Sequence, residues 1–280
     1  MVNALTIDVE EYFQVHNLES RVRRSDWDRY ESRVEASTGA VLDLMAEGGV
    51  KGTFFVLGWI AERQPNVVRR IAAAGHEIAT HGYDHRLVYR LTPAEFRQDL
   101  TRAVAALQDI AGQRVLGYRA PSFSITRDSL WALDVICEVG LQYDASICPA
   151  RSFNGRYGIP GMREEPHKVR PQLWEFPVAV ATLGPFKSPV GGGGWLRHYP
   201  YSVTALALRR LNRSGRPFIV YVHPWEIDCE QPRIKTDPWR AFLHYHNLSK
   251  TASRLASLMR EFQFGPVRHV LGLEAAAACA

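Results

Sequence analysis

Short hydrophobic runs alternate with stretches of helical periodicity along most of the chain. The β-rich runs are Ala4 to Val9, Gly52 to Leu57, His76 to Thr80, Val115 to Tyr118, Leu141 to Tyr143, Leu173 to Val178, Phe218 to His223 and Val267 to Leu271. Between them the pattern predicts helices over Thr38 to Glu47, Trp59 to Ala74, Pro93 to Ala111, Arg127 to Val139, Ser202 to Ser214 and Pro238 to Glu261. Strands that alternate with helices predict parallel βα units, closed into a barrel or left as an open sheet. End signals support this phasing. Thr92-Pro93 followed by Glu95 joins a cap, a first-turn proline and an acid, and Ala74-Gly75 closes the preceding helix. Residues 17–35, rich in Arg and Asp, and 149–171, rich in Pro, Gly and charge, fit neither period and predict long loops of the kind that shape a site.

This phasing puts particular side chains together. On a strand, residues i and i+2 share a face, so Asp8 and Glu10 point one way and Val9 the other. In Thr80-His-Gly-Tyr-Asp-His85, a chain that coils after His81 would stack His81 and His85 at i and i+4, a spacing suited to two imidazoles on one metal. An HxxxH pair alone is a weak signal. Neutral imidazoles joined by a carboxylate, with open positions left over, are what a hydrolytic metal site requires. In a βα barrel the chemistry gathers at the C-terminal ends of the strands. Those ends carry, in order, Asp8 and Glu10, His81 and His85, Arg119-Ala-Pro-Ser122, Asp144, and His223-Pro-Trp-Glu226.

Composition narrows the picture. The 280 residues, 46% hydrophobic, suffice for one substantial domain, and no shift in composition marks a boundary. Net charge is +5, with basic residues scattered rather than clustered, which favours an anionic substrate or lipid neighbour over nucleic acid. Cys137, Cys148, Cys229 and Cys279 form no metal-binding spacing and are expected as reduced thiols. The chain opens without a basic segment leading into an apolar stretch and contains no run long enough to span a membrane, so a soluble cytoplasmic protein is expected, compatible with an oligomer. Gly191 to Gly194 lacks the Lys-Ser/Thr of a phosphate loop and is read as a flexible loop carrying Trp195 and Tyr199 toward a ligand. The alanine-rich tail after Glu274 is expected to fray.

Taken together, the acidic strand end at Asp8, the HxxxH of His81 and His85, Arg119-Ala-Pro, and His223 after a late apolar strand resemble the polysaccharide deacetylases, the NodB-homology family or carbohydrate esterase family 4. The motifs span residues 4–226. Residues 226–264, including Phe242-Leu-His-Tyr-His246, further resemble the C-terminal extension of a bacterial subgroup associated with exopolysaccharide synthesis. The resemblance implies a distorted (β/α) barrel with about seven parallel strands, formed by a single catalytic domain over residues 1–280 with 226–264 packed on it.

It also implies roles. Asp8 would be the general base, Glu10, His81 and His85 the ligands of one divalent metal, zinc by expectation, and His223 the general acid. Arg119 would keep Asp8 ionised, because a fixed cation favours the charged form of an adjacent carboxylate. The chain departs from the family pattern at three points. Its second carboxylate is a glutamate two positions after Asp8 rather than an adjacent aspartate; strand parity favours Glu10, with Glu11 the alternative ligand. Ser122 stands where many relatives carry tyrosine, and its backbone N–H would serve as the oxyanion donor. The aspartate that orients the catalytic histidine has no clear match, and Asp144 is the candidate. The implied activity is removal of N-acetyl groups from amino sugars of a polysaccharide, oligosaccharide or lipid-linked precursor. The rivals are a deformylase, a cyclic-imide or ureide hydrolase, and an inactive metal-containing sugar-binding module.

Overall fold

The computed structural model describes residues 1–151, 157–183 and 186–273; the tail after Glu274, with Cys279, lies outside them. The strands are β1 (Val2–Val9), β2 (Thr53–Val56), β3 (Glu77–Thr80), β4 (Gly117–Tyr118), β5 (Tyr143–Asp144), β6 (His167–Arg170), β7 (Leu173–Glu175), β8 (Val180–Leu183), β9 (Phe186–Pro189), β10 (Ile219–Val222) and β11 (Gln263–Gly265). The helices are α1 (Val34–Glu47), α2 (Gly58–Arg63), α3 (Pro65–Ala73), α4 (Pro93–Ala111), α5 (Ala132–Glu138), α6 (Gly193–His198), α7 (Tyr201–Arg213), α8 (Pro238–Tyr245), α9 (Leu248–Glu261) and α10 (Val267–Val270).

Seven strands lie parallel in the order β10-β1-β2-β3-β4-β5-β7, with β6 added antiparallel at the end. The described residues of β10 and β6 do not pair, so the predicted barrel is a curled half-barrel. Ala4 pairs with both Ile219 and Gly265, which puts β11 on the β2 edge of β1, below the point where β2 begins.

The alternation along β1 separates two environments. Leu5, Ile7 and Val9 join Phe54, Val56 and Ile78 in the large core shared with the helices. The inward positions run Ala4, Thr6, Asp8, and so change from apolar to acidic toward the C-terminal end. Ala4, Phe55, Ala79, Tyr143, Phe176 and Val267 fill the apolar end of the interior. That end is closed by α10, whose Val267 N–H donates to Thr53 Oγ1 at 2.8 Å and whose Arg268 N–H donates to Glu77 Oε2 at 3.1 Å. The acidic inward position of β1, Asp8, therefore lies at the opposite, open end.

Most predicted elements are present, and α4 matches its expected bounds, with the Thr92–Glu95 capping box and a left-handed Gly112 at its end. The differences have local causes. The helix predicted over Trp59 to Ala74 is broken at Pro65, which cannot donate the helical hydrogen bond. The helix predicted over Pro238 to Glu261 is interrupted at Asn247, which adopts φ 56°. Val267 to Leu271, predicted as a strand, is helical, and Gln263–Gly265 takes the strand position instead. Periodicity does not distinguish short apolar runs of these two kinds. The segment 17–35 is more ordered than a polar loop: 3-10 turns at His16–Leu18 and Arg24–Arg29 bury Leu18, Val22 and Trp27 against Phe13 and Trp225. Within the predicted loop 149–171, His167–Arg170 forms β6.

Candidate metal and acid-base site

Loops after β1, β3, β4 and β10 converge on a cavity of about 240 Å³ lined by Asp8, Glu10, His81, His85, Ser122 and His223, among others. His81 follows β3 directly. The chain between the two histidines is not helical, contrary to the coiled expectation. A turn with Gly82 at φ 78° and His85 at φ 57° brings the rings to 5.5 Å between centroids. The turn is anchored by its neighbours: its Gly82 and Tyr83 carbonyls accept the first N–H groups of α2, from Gly58 and Trp59, at 2.9 Å each, and Asp99 of α4 accepts the Tyr83 N–H. Arg24 adds bonds to the Asp84 and His85 carbonyls, both at 3.0 Å.

Glu10, His81 and His85 are buried, and one potential ligand atom from each lies within 4.8 Å of the others. His81 Nδ1 donates to the Arg119 carbonyl at 2.8 Å, which leaves Nε2 unprotonated and facing the cavity. Burial, together with the nearby His85 and Arg119, lowers the His81 pKa to about 4 despite Asp8 and Glu10, so its imidazole is neutral as a ligand must be. Burial pushes Glu10 up, but His85 and His223 outweigh it and hold the carboxylate at about 2. Glu10 Oε2 sits 2.8 Å from His85 Nε2 and yet is a buried oxygen without an aligned hydrogen bond. An anionic oxygen and two imidazole nitrogens that converge without satisfying one another fit a bound divalent cation.

Glu11 points elsewhere. It accepts Ser32 Oγ–H and the backbone N–H groups of Arg33 and Val34, at 3.0 and 3.3 Å, and so caps the start of α1.

Asp8 lies on the same inward face. Arg119, itself 1% exposed, donates from Nη1 to Asp8 Oδ1 at 2.6 Å and Thr6 Oγ1 at 2.7 Å, and from Nε to the Ala145 carbonyl. Its guanidinium packs 4.2 Å from the Phe55 ring centroid. Opposite, His223 Nε2 is 3.9 Å from Asp8 Oδ2 and 3.5 Å from Glu10 Oε1. Burial would lower the His223 pKa, but Glu10 and Glu226 together raise it to about 9. Ser122 lines the cavity with φ 53°, a left-handed backbone rare for serine.

The carboxylate that orients His223 is not Asp144. Glu226 Oε2 accepts from His223 Nδ1 at 2.9 Å and from its backbone N–H at 3.0 Å, while Glu226 Oε1 accepts from Arg197 Nε at 2.8 Å. Asp144 pairs in register with Tyr118 and Glu175, and Tyr118 packs on Phe96 in the helix-facing core. Asp144 therefore lies on the outer side of the sheet, bonded to Ser146, and cannot reach a histidine on the inner side. The segment His223-Pro-Trp-Glu226 carries this pairing unannounced in the sequence; its signal is the i, i+3 spacing across a proline-led turn.

Trp225 donates from Nε1 to Glu10 Oε1 at 3.1 Å and stacks between His223 and His244, at 5.3 and 4.3 Å. Nothing in the sequence pointed to Arg197, which is buried and also binds the Leu243, His244 and His246 carbonyls at the end of α8. The glycine run also differs from the flexible loop expected. A helix, α6, begins at Gly193, and a Cβ would meet the Ile219 carbonyl at Gly191, Tyr221 Oη at Gly192 and Glu226 Oε2 at Gly193, at 2.2, 2.3 and 1.8 Å. The glycines permit close approach to β10 and to the histidine's partner. Trp195 and Tyr199 stack on each other at 4.5 Å.

Residues 27–143 match a family model described as polysaccharide deacetylase, and residues 145–272 match one described as a domain of unknown function, DUF3473. A peptidoglycan-N-acetylglucosamine deacetylase of Bacillus cereus is 36% identical over 98 residues, covering 35% of this chain and 36% of that relative. A chitooligosaccharide deacetylase of a Bradyrhizobium species is 32% identical over 99 residues, covering 35% and 43%. The chain thus spans less than half the length of either relative. In fold, a crystal structure titled putative polysaccharide deacetylase from Mycobacterium smegmatis superposes with TM-score 0.65 at 20% identity, covering 96% of this chain and 88% of that one.

Proposed function

We propose that this chain, whose residues 27–143 match the polysaccharide deacetylase family model, is a deacetylase of NodB-homology, carbohydrate esterase 4 type that hydrolyses the N-acetyl group of an amino sugar in a polysaccharide, oligosaccharide or lipid-linked precursor, using one divalent cation, zinc, within exopolysaccharide biosynthesis. The observation that carries the reading is the placement of two proton-handling groups, Asp8 with Arg119 and His223 with Glu226, on either side of Glu10, His81 and His85 in one cavity.

Glu10, His81 and His85 would hold the cation, which when bound supplies a Lewis acid for the acetyl carbonyl and acidifies a water. Asp8, fixed by Arg119 through one oxygen, takes the water proton at the other. The water oxygen then bonds to the carbonyl carbon, and the Ser122 N–H donates to the oxygen that becomes negative. His223, protonated by virtue of its raised pKa, gives its Nε2 proton to the nitrogen as the C–N bond breaks, so that acetate and a free amine leave. Glu226 keeps the imidazole oriented throughout. Residues 226–264 complete the site in this reading, because α8 ends on Arg197 and its His244 backs Trp225. Free thiols at Cys137, Cys148 and Cys229 accord with action in the reducing cytoplasm.

The test is an acetate-release assay on N-acetylated oligosaccharides with the zinc-loaded chain, run beside Asp8→Asn and His223→Ala. Both variants should keep the metal and lose most turnover. Formate in place of acetate would move the assignment to a deformylase, and no release from any amide substrate would overturn it.

A further inference from the structure

Two more cavities, of about 280 and 290 Å³, adjoin the catalytic one and share lining residues with it. His16 lines all three, and His85 lines the catalytic cavity and the first of these. Phe13, Trp27, Arg23 and Arg24 wall the first; Tyr89, Arg90 and Arg240 wall the second. Sharing His16 and Glu19, they are taken together as one groove beside segment 17–35 and next to the metal-binding turn.

The charge of this groove is under-neutralised. Glu19 is the one carboxylate among its described lining residues, and it is shared by His16 at 2.9 Å, Arg90 at 2.8 Å and Arg24 at 3.9 Å. Arg240 faces Ser20 and has Asp237 at 3.4 Å. Arg23 makes no ion pair or side-chain hydrogen bond with any described residue. Four arginines in a concave wall, with one lining carboxylate shared by Arg24, Arg90 and His16, attract negative charge and raise its local concentration. Arg24 also holds the His81–His85 turn through the Asp84 and His85 carbonyls, whereas the catalytic scheme calls for none of Arg23, Arg90 and Arg240.

We propose that the groove binds an anionic substituent of the substrate, a carboxylate or phosphate group next to the N-acetylated sugar in the catalytic cavity. The inference rests on the deacetylase reading for the identity of that sugar. Arginine presents a planar fork of donors to either kind of oxyanion, so both sources share one chemistry: a uronic acid within the glycan, or a phosphate at its reducing end.

Binding to the zinc-loaded, full-length Asp8→Asn chain, measured by calorimetry, tests this without turnover. The probes are a neutral N-acetylglucosamine oligosaccharide, one of equal length alternating N-acetylhexosamine with hexuronic acid, and N-acetylglucosamine 1-phosphate. At low ionic strength at least one anionic probe should bind about tenfold tighter than the neutral one. In Arg23→Ala/Arg90→Ala, or in about 0.5 M salt, that advantage should vanish while neutral binding is unchanged. Preference for the uronate-containing chain assigns the charge to the glycan, and preference for the 1-phosphate assigns it to a reducing-end linkage. Equal binding of all probes, or a preference that survives the double variant, would overturn the inference. Failure of the wild type to release acetate would instead sink the deacetylase reading, with the binding preference still read on its own.

Discussion

Glu226 holds His223 at two points, accepting from the backbone N–H at 3.0 Å and from ring Nδ1 at 2.9 Å, so that a single carboxylate fixes both the turn and the ring orientation of the proposed general acid. Burial raises the pKa of Glu226, but Arg197 and His223 outweigh it and hold it at about 2. These two cations favour its ionised form. Glu226→Gln removes that charge while keeping the shape. Turnover is expected to fall about a hundredfold with little change in KM, since orientation and protonation of the acid matter in the transition state. Because Glu226 helps to raise the His223 pKa, the alkaline limb of the kcat profile should move to lower pH in the variant. A purely structural role would leave that limb in place.

Gly193→Ala reaches the same carboxylate by another route. The new Cβ would lie 1.8 Å from Glu226 Oε2 and displace it. The expected result is a kcat loss resembling that of Glu226→Gln, whereas Gly194→Ala, which meets nothing within 4 Å, should be near wild type. Steady-state acetate release for the pair checks this.

The two neighbouring glutamates should separate cleanly. Glu10→Ala is expected to abolish stoichiometric metal by elemental analysis, because it removes the only carboxylate among the described residues that groups with His81 and His85. Glu11→Ala should retain the metal and instead lower stability by about 1–2 kcal/mol through loss of the α1 cap, visible as a reduced denaturant midpoint.

A stability effect of pH is expected from the Asp144–Glu175 pair. Burial is the main cause that pushes both carboxyls up, Asp144 to about 6 and Glu175 well above the usual range. The folded chain therefore holds protons that the unfolded chain has released above about pH 4. Their stabilising contribution is complete below the unfolded pKa values and is lost as pH rises through the folded ones. Glu175→Gln keeps an acceptor for the Ile147 N–H while removing one titration. Its melting temperature should fall less between pH 5 and pH 8, on the order of a few degrees, than that of the wild type.

The parallel βα order, the bounds of α4 and the shared inward face of Asp8 and Glu10 are legible in the sequence, since strand and helix periods and caps are local properties. It also marked His81, His85, Arg119 and His223 as strand-end residues, and the structure brings all four to one cavity wall or its immediate support. Which partners these residues meet depends on the folded chain. Glu11 caps α1 because α1 begins where the chain returns to it, and Asp144 is excluded because its register with Tyr118 turns it to the outer side of the sheet. Arg197 reaches Glu226 only because Gly191 to Gly193 let α6 press against β10 and the turn after it. Such contacts join residues far apart in the chain, and no local pattern of polarity encodes which of them will come within 3 Å of one another.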